Sequence, residues 1–194
     1  MDLTTGDTYR VSPGFGKTTC GWIHPDGESV LFASTHGDPD ARLKQEEELK
    51  FRESGKTRRY SWDYDEFYDI YRSDLEGTRF NNLTQARGYD AEGSFSPDGK
   101  LIVFSSNRHA YEQELSPEDQ EIFDRDKSYL VDVYLMNADG SEVRRLTENK
   151  GYDGGPFFSP DGEEIVWRRF SEDGVTAEIH VMKSDGSEQR QITR

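Results

Sequence analysis

The residues able to do chemistry in this chain are acidic, aromatic and imidazole groups, and they fall in a few places. Asp63, Asp65, Glu66 and Asp69 set four carboxylates close together, a donor set that suits a hard cation such as calcium. Tyr60, Trp62, Tyr64, Phe67 and Tyr68 interrupt that run, and the glycine of an EF-hand-type loop is missing. The competing reading is a solvated acidic loop docked through Trp62 and Tyr64. His36 and His109 are the imidazoles in comparable positions, but the third copy of the pattern described below has Phe170 and Ser171 there, which makes a poor metal set. Asp63, Asp65, His36 and His109 are therefore the metal candidates, and no cofactor is expected. Tyr89-Asp90 and Tyr152-Asp153 recur as matched pairs. Each Asp can bond neighbouring amides while its Tyr packs, or the pairs can form a polar and aromatic rim for a peptide or carbohydrate.

Other chemistry is excluded by pattern. Pro13-Gly14-Phe15-Gly16-Lys17-Thr18 looks like a phosphate loop, but Val11 stands where that motif needs its first glycine. No Gly-x-Ser-x-Gly occurs, so no serine nucleophile can be nominated, and no residue is assigned a catalytic role. The charge is −15, from 24 Lys and Arg against 39 Asp and Glu in 194 residues. Binding to nucleic acid or an anionic membrane needs basic surface, so both are disfavoured. No apolar run approaches the ~18 residues of a membrane helix, and the opening MDLTTGDTYR has no basic segment followed by an apolar stretch. The one cysteine, Cys20, excludes an intrachain disulfide and is expected to be a buried, inert thiol.

A repeat positions these groups. Pro-Asp-Gly occurs at 25–27, 97–99 and 160–162, each time before an apolar run such as Leu101-Ile102-Val103-Phe104. A second turn recurs at Leu75-Glu76-Gly77, Ala138-Asp139-Gly140 and Ser184-Asp185-Gly186, and each unit closes on Leu83-Thr84, Leu146-Thr147 or Ile192-Thr193. Asp-Gly supplies the positive φ that a tight hairpin requires. The bare third unit, four short strands in about 46 residues, has the length of a β-propeller blade.

These turns and closing pairs resemble the β-propeller repeat of TolB, the periplasmic partner of the Tol–Pal system, and similar blades form the propellers of prolyl-oligopeptidase-like serine peptidases. The resemblance covers roughly Thr8 to Thr193 and implies an all-β fold. That fold is a propeller segment of about three four-stranded antiparallel blades at 18–84, 89–147 and 153–193, with residues 8–12 as an orphan outer strand. It implies a ring of six or seven blades, completed by further blades or by self-association. It also implies a scaffold that binds a protein, peptide or glycan in the periplasm or cell envelope of a bacterium. Two rivals are the substrate-gating propeller of a peptidase whose catalytic domain lies elsewhere, and a metal-dependent lyase-like propeller.

Strands that alternate up and down sort the connections onto two faces. One carries only the tight Asp-Gly turns. The other carries the loops at Tyr89 and Tyr152 and two inserts, 36–66 and 109–128. The first insert predicts a helix over 42–52, capped near Asp38–Asp40, with Glu46/Lys50 and Glu48/Arg52 spaced i,i+4; the second predicts one starting at Ser116-Pro117. Binding residues concentrate on long loops held by a rigid frame. Tyr89, Asp90, Tyr152, Asp153, Trp62 and Tyr64 are accordingly the candidates for a partner face.

Overall fold

The structure is a computed structural model that describes residues 1–58 and 64–194. Among these residues twelve strands follow one another in three antiparallel meanders. The first is β1 (Thr18–Ile23), β2 (Ser29–Ser34), β3 (Asp69–Asp74) and β4 (Phe80–Asn82). The second is β5 (Asp90–Phe95), β6 (Leu101–Ser106), β7 (Leu130–Asn137) and β8 (Arg144–Arg145). The third is β9 (Gly151–Phe158), β10 (Glu164–Phe170), β11 (Ala177–Lys183) and β12 (Arg190–Gln191). A short parallel contact, Leu130 and Val131 of β7 against Gly151 and Tyr152 of β9, joins the second and third meanders. Helix α1 (Ala41–Glu53) lies between β2 and β3; α2 (His109–Glu112) and α3 (Pro117–Arg125) lie between β6 and β7.

Each hairpin follows from side chains acting locally. Ser96 donates to Asp98 Oδ1 and accepts the Leu101 N–H at 3.0 Å, while Asp98 accepts the Lys100 N–H. Ser159 and Asp161 repeat the arrangement, and His24 stands in for serine in the first turn, where its Nδ1 lies 2.8 Å from Asp26 Oδ1. The closing Thr is a latch in all three meanders. Thr84, Thr147 and Thr193 each accept the N–H of a strand residue (Ile70, Val133, Ile179) and donate to the acid just before it (Asp69, Asp132, Glu178).

The core lies between neighbouring meanders. Leu31 and Ile70 of the first pack against Phe95, Ile102, Phe104, Tyr134 and Met136 of the second. Val103, Val133 and Leu135 on the other side of the second meet Ile165, Trp167 and Met182 of the third. Each fully buried aliphatic side chain contributes about 1.5–3 kcal/mol, so this alternation fixes which way each strand faces.

Several expectations are revised. Residues 8–12 form no strand; the segment runs alongside the first meander, where the Val11 carbonyl accepts from Ser73 Oγ. It finds no strand to pair with among the described residues. The inner strands β5 and β9 run from Asp90 and Gly151, and each carries a bulge that breaks its alternation. Within the Asp38–Asp40 segment expected to cap α1, the Asp38 side chain accepts the Asp40 N–H and pairs with Lys44 at 2.6 Å, while the Asp40 side chain makes no capping bond. Ser116 caps α3 through the Asp119 N–H as its sequence indicated. Cys20 is exposed rather than buried, because it occupies the bulge of β1.

Candidate functional site

The two faces differ in what they display. Tight turns with left-handed glycines such as Gly27 and Gly140 form one face, and His24 there reaches across to the Gly99 carbonyl at 3.1 Å. Helices α1, α2 and α3 sit on the opposite face, in the connections β2–β3 and β6–β7.

The Tyr-Asp pairs on that face are interior groups. Asp90 and Asp153 are fully buried and Tyr89 and Tyr152 nearly so, which overturns their reading as an open rim. The reason is charge pairing across each inner hairpin. Asp90 Oδ2 meets Arg108 at 2.6 Å, and Asp153 accepts both Nε and Nη2 of Arg169 at 2.8 and 2.6 Å. Burial still pushes the Asp90 carboxyl up to about 6 against the pull of Arg108. Tyr89 packs between Tyr64 and Tyr68, and Tyr152 donates to Glu92 Oε2 at 2.6 Å. Tyr64 bonds Tyr111 of the second insert, so it fastens insert to insert instead of facing solvent.

The metal candidates are not brought together. Asp65 is buried between Lys17 and Lys44, at 3.3 and 3.4 Å. His36 bonds Ser34 Oγ at 3.0 Å and lies against Tyr71. His109 bonds Tyr134 Oη at 3.2 Å, and burial, reinforced by Arg145, lowers its pKa to about 4. The two histidines are not structural equivalents: Ser34 faces Asp69 as Ser106 faces Asp132, so His36 corresponds to Arg108. Trp62 and Asp63 lie outside the described residues. No group of three or more His, Cys, Asp or Glu among the described residues is placed to hold a metal ion.

What the strands and inserts do build is a cleft of about 640 Å³ between α3, the start of β9 and the hairpin that follows β10. Ile122 and Arg125 of α3 form one wall, Arg168, Phe170 and Glu172 the other, and Tyr129, Tyr152 and Glu92 close it. The Arg168 guanidinium lies 5.7 Å from the Tyr152 ring centroid and 4.9 Å from that of Phe170. Tyr129 Oη donates to Glu172 at 3.0 Å, tying insert to hairpin. A second hollow of about 620 Å³ lies on the other side of that hairpin, against Lys150, Arg169, Glu178 and His180. Arg125, Arg168 and Glu92 escape a reading of the sequence because no local pattern joins them. The one available signal is that Arg168 and Arg169 are adjacent on a strand, so that only one of them can point toward Asp153.

No protein-family model matches the chain. A curated, uncharacterized protein of Agrobacterium fabrum is 26% identical over an alignment of 191 residues that covers 93% of this chain and 56% of that one. A TolB homolog of Chlorobium luteolum is 26% identical over 124 residues, covering 52% of this chain and 28% of that protein. The chain thus spans about half or less of the length of these relatives. Among solved structures, TolB from Acinetobacter baumannii superposes with a TM-score of 0.59 at 20% identity, over 99% of this chain and 36% of that one. The β-propeller domain of the trilobed protease from Pyrococcus furiosus gives 0.50 at 14%, over 93% of this chain and 44% of that one. Prolyl endopeptidases give 0.55 at 12%, over 93% of this chain and 22% of theirs. At these identities the likeness to solved structures carries the fold alone. The chain is an all-β repeat protein of the β-propeller kind. Its repeats are similar to those of TolB proteins and of prolyl-oligopeptidase-type propellers.

Proposed function

We propose that the chain is a non-catalytic, TolB-like propeller scaffold of three blades that holds a protein, peptide or glycan partner on its loop face. The observation that carries this reading is the placement of all three helices and the 640 Å³ cleft on one face, opposite a face made of tight turns. The resemblance to TolB favours a protein partner and a periplasmic or cell-envelope location. The second reading, a substrate-gating propeller of a serine peptidase, is favoured by the protease and prolyl-endopeptidase neighbours. A metal-dependent lyase finds less support, since His36 and His109 each already bond a hydroxyl. The test is capture of partners by the tagged chain with Leu43→Ser and Leu49→Ser on exposed positions of α1, against Asp26→Asn and Asp185→Asn on the turn face. Capture weakened by the α1 substitutions alone is the expected result. Equal effects from both faces, or from neither, overturn the reading.

A further inference from the structure

From the side chains of the cleft between α3 and the hairpin after β10 we infer that it binds a carboxylate carried by an extended peptide. Arg125 and Arg168 hold the acid, and an apolar side chain of the peptide lies against Ile122 and Phe170. This deepens the scaffold reading and rests on it.

The argument begins with charge. Carboxylates outnumber cations by 39 to 24 in this chain. Basic residues just outside the cleft pair accordingly: Lys127 with Asp124, Lys150 with Asp119 and Arg169 with Asp153. Arg125 and Arg168, the two basic residues that line the cleft itself, have no such ion pair among the described residues. In so acidic a molecule, two guanidiniums left without a carboxylate at one cavity mark where an external one would be held.

The acids nearby do not substitute for it. Asp126 is taken by the N–H and hydroxyl of Ser128, and Asp173 by Ser171 and the Val175 N–H. Glu92 receives Tyr152, Ser105 and the Gly155 N–H. Glu172 receives Tyr129. Arg168, by contrast, rests on aromatic faces, a contact that holds a guanidinium while leaving its edge N–H groups available for a bidentate carboxylate. A cleft of about 640 Å³ lies in the usual size range of ligand sites and accommodates a few residues.

The test is a chemical-shift titration of the ¹⁵N-labelled full chain with three probes. These are N-acetyl-Ala-Ala-Phe with a free C-terminal carboxylate, its C-terminal amide, and N-acetyl-Phe-Asp amide. The free acid is expected to shift the amides of Tyr152 and of the Phe170–Gly174 hairpin, and its amide to bind at least about tenfold more weakly, the factor lost with one charge-assisted contact. Arg125→Gln and Arg168→Gln should each weaken the acid by about tenfold, with Arg168→Lys intermediate. Arg125 is exposed on its helix, so its substitution tests the idea even if Arg168→Gln disturbs packing. Binding of the Asp probe alone assigns the site to an internal acidic residue, and binding of the C-terminal acid alone assigns it to a chain end; both uphold a carboxylate site. Equal binding of acid and amide, or binding unchanged by both Gln substitutions, overturns it. If Leu43→Ser and Leu49→Ser weaken partner capture while Arg125→Gln and Arg168→Gln do not, the scaffold reading survives and the carboxylate site falls.

Discussion

Glu92 Oε2 accepts the backbone N–H of Gly155 at 2.7 Å, linking the bulge of one inner strand to the bulge of the next. Cys20 occupies the corresponding bulge one meander earlier, in β1. Cys20, Glu92 and Gly155 all have left-handed backbones, with φ of 53°, 56° and 63°. A left-handed residue in a strand costs roughly 1–3 kcal/mol when it is not glycine; at Glu92 that conformation accompanies a side chain that reaches the next unit, whose Gly155 answers with its backbone N–H. Desolvation, with the Glu92 carboxylate adding to it, raises the Cys20 pKa, so this exposed thiol is a sluggish nucleophile.

Removing the Glu92 carboxylate should therefore loosen the second meander from the third. Glu92→Ala leaves the Gly155 N–H and the Tyr152 hydroxyl without their acceptor, a loss of about 1–3 kcal/mol. Glu92→Gln keeps one acceptor oxygen and should cost less. Urea unfolding of both variants checks this, and an Ala variant as stable as the parent would show that the bridge contributes nothing. Gly155→Ala is a companion test. Its new Cβ meets no atom within 4 Å, so the ~1 kcal/mol loss expected comes from the left-handed backbone alone.

The closing threonines make a graded prediction. Thr147 is buried, donates to Asp132 at 2.9 Å and accepts the Val133 N–H at 3.0 Å. Thr147→Val strands both partners and should lower stability by about 1–3 kcal/mol, while Thr147→Ser keeps the hydroxyl and should cost under about half of that. Thr193 makes the same bonds at an exposed position, so Thr193→Val should matter less. Equal losses at the two sites would mean that burial does not set the value of the latch.

Much of this fold was legible because its bonds are short in sequence. A Ser or His two residues before an Asp, and a Thr about fifteen after a strand acid, act on backbone close at hand, so their recurrence marks the units. The cleft was not legible. Arg125 and Arg168 line one cleft only because β7 and β9 run parallel for two residues, a contact with no local signature. Glu92 was equally hidden, since a glutamate gives no hint of a positive φ. Tyr89-Asp90 was visible as a repeated pair, but its burial depends on Arg108, eighteen residues on, whose side chain turns back to neutralise the acid. The residues carrying the partner-site argument thus come from long-range pairing, and those carrying the fold come from turns.

His109 gives the last prediction, on pH. It is buried, its pKa is lowered to about 4, and the free side chain titrates near 6.5. The unfolded chain therefore binds more protons than the folded one between those values, and the contribution of His109 to stability falls as pH drops from about 6.5 to about 4. The loss is at most about 3 kcal/mol. Asp90 and Asp132, pushed up by burial to about 6 and about 7, act with the opposite sign over the same range, since their folded forms hold protons that the unfolded chain has released. The measurement is for that reason a difference. His109→Gln can still bond Tyr134 but does not titrate, so its stability relative to the parent should rise as pH falls from 7 to 4.5 in parallel urea titrations. A difference that stays constant across that range would show that His109 is not held neutral by the fold.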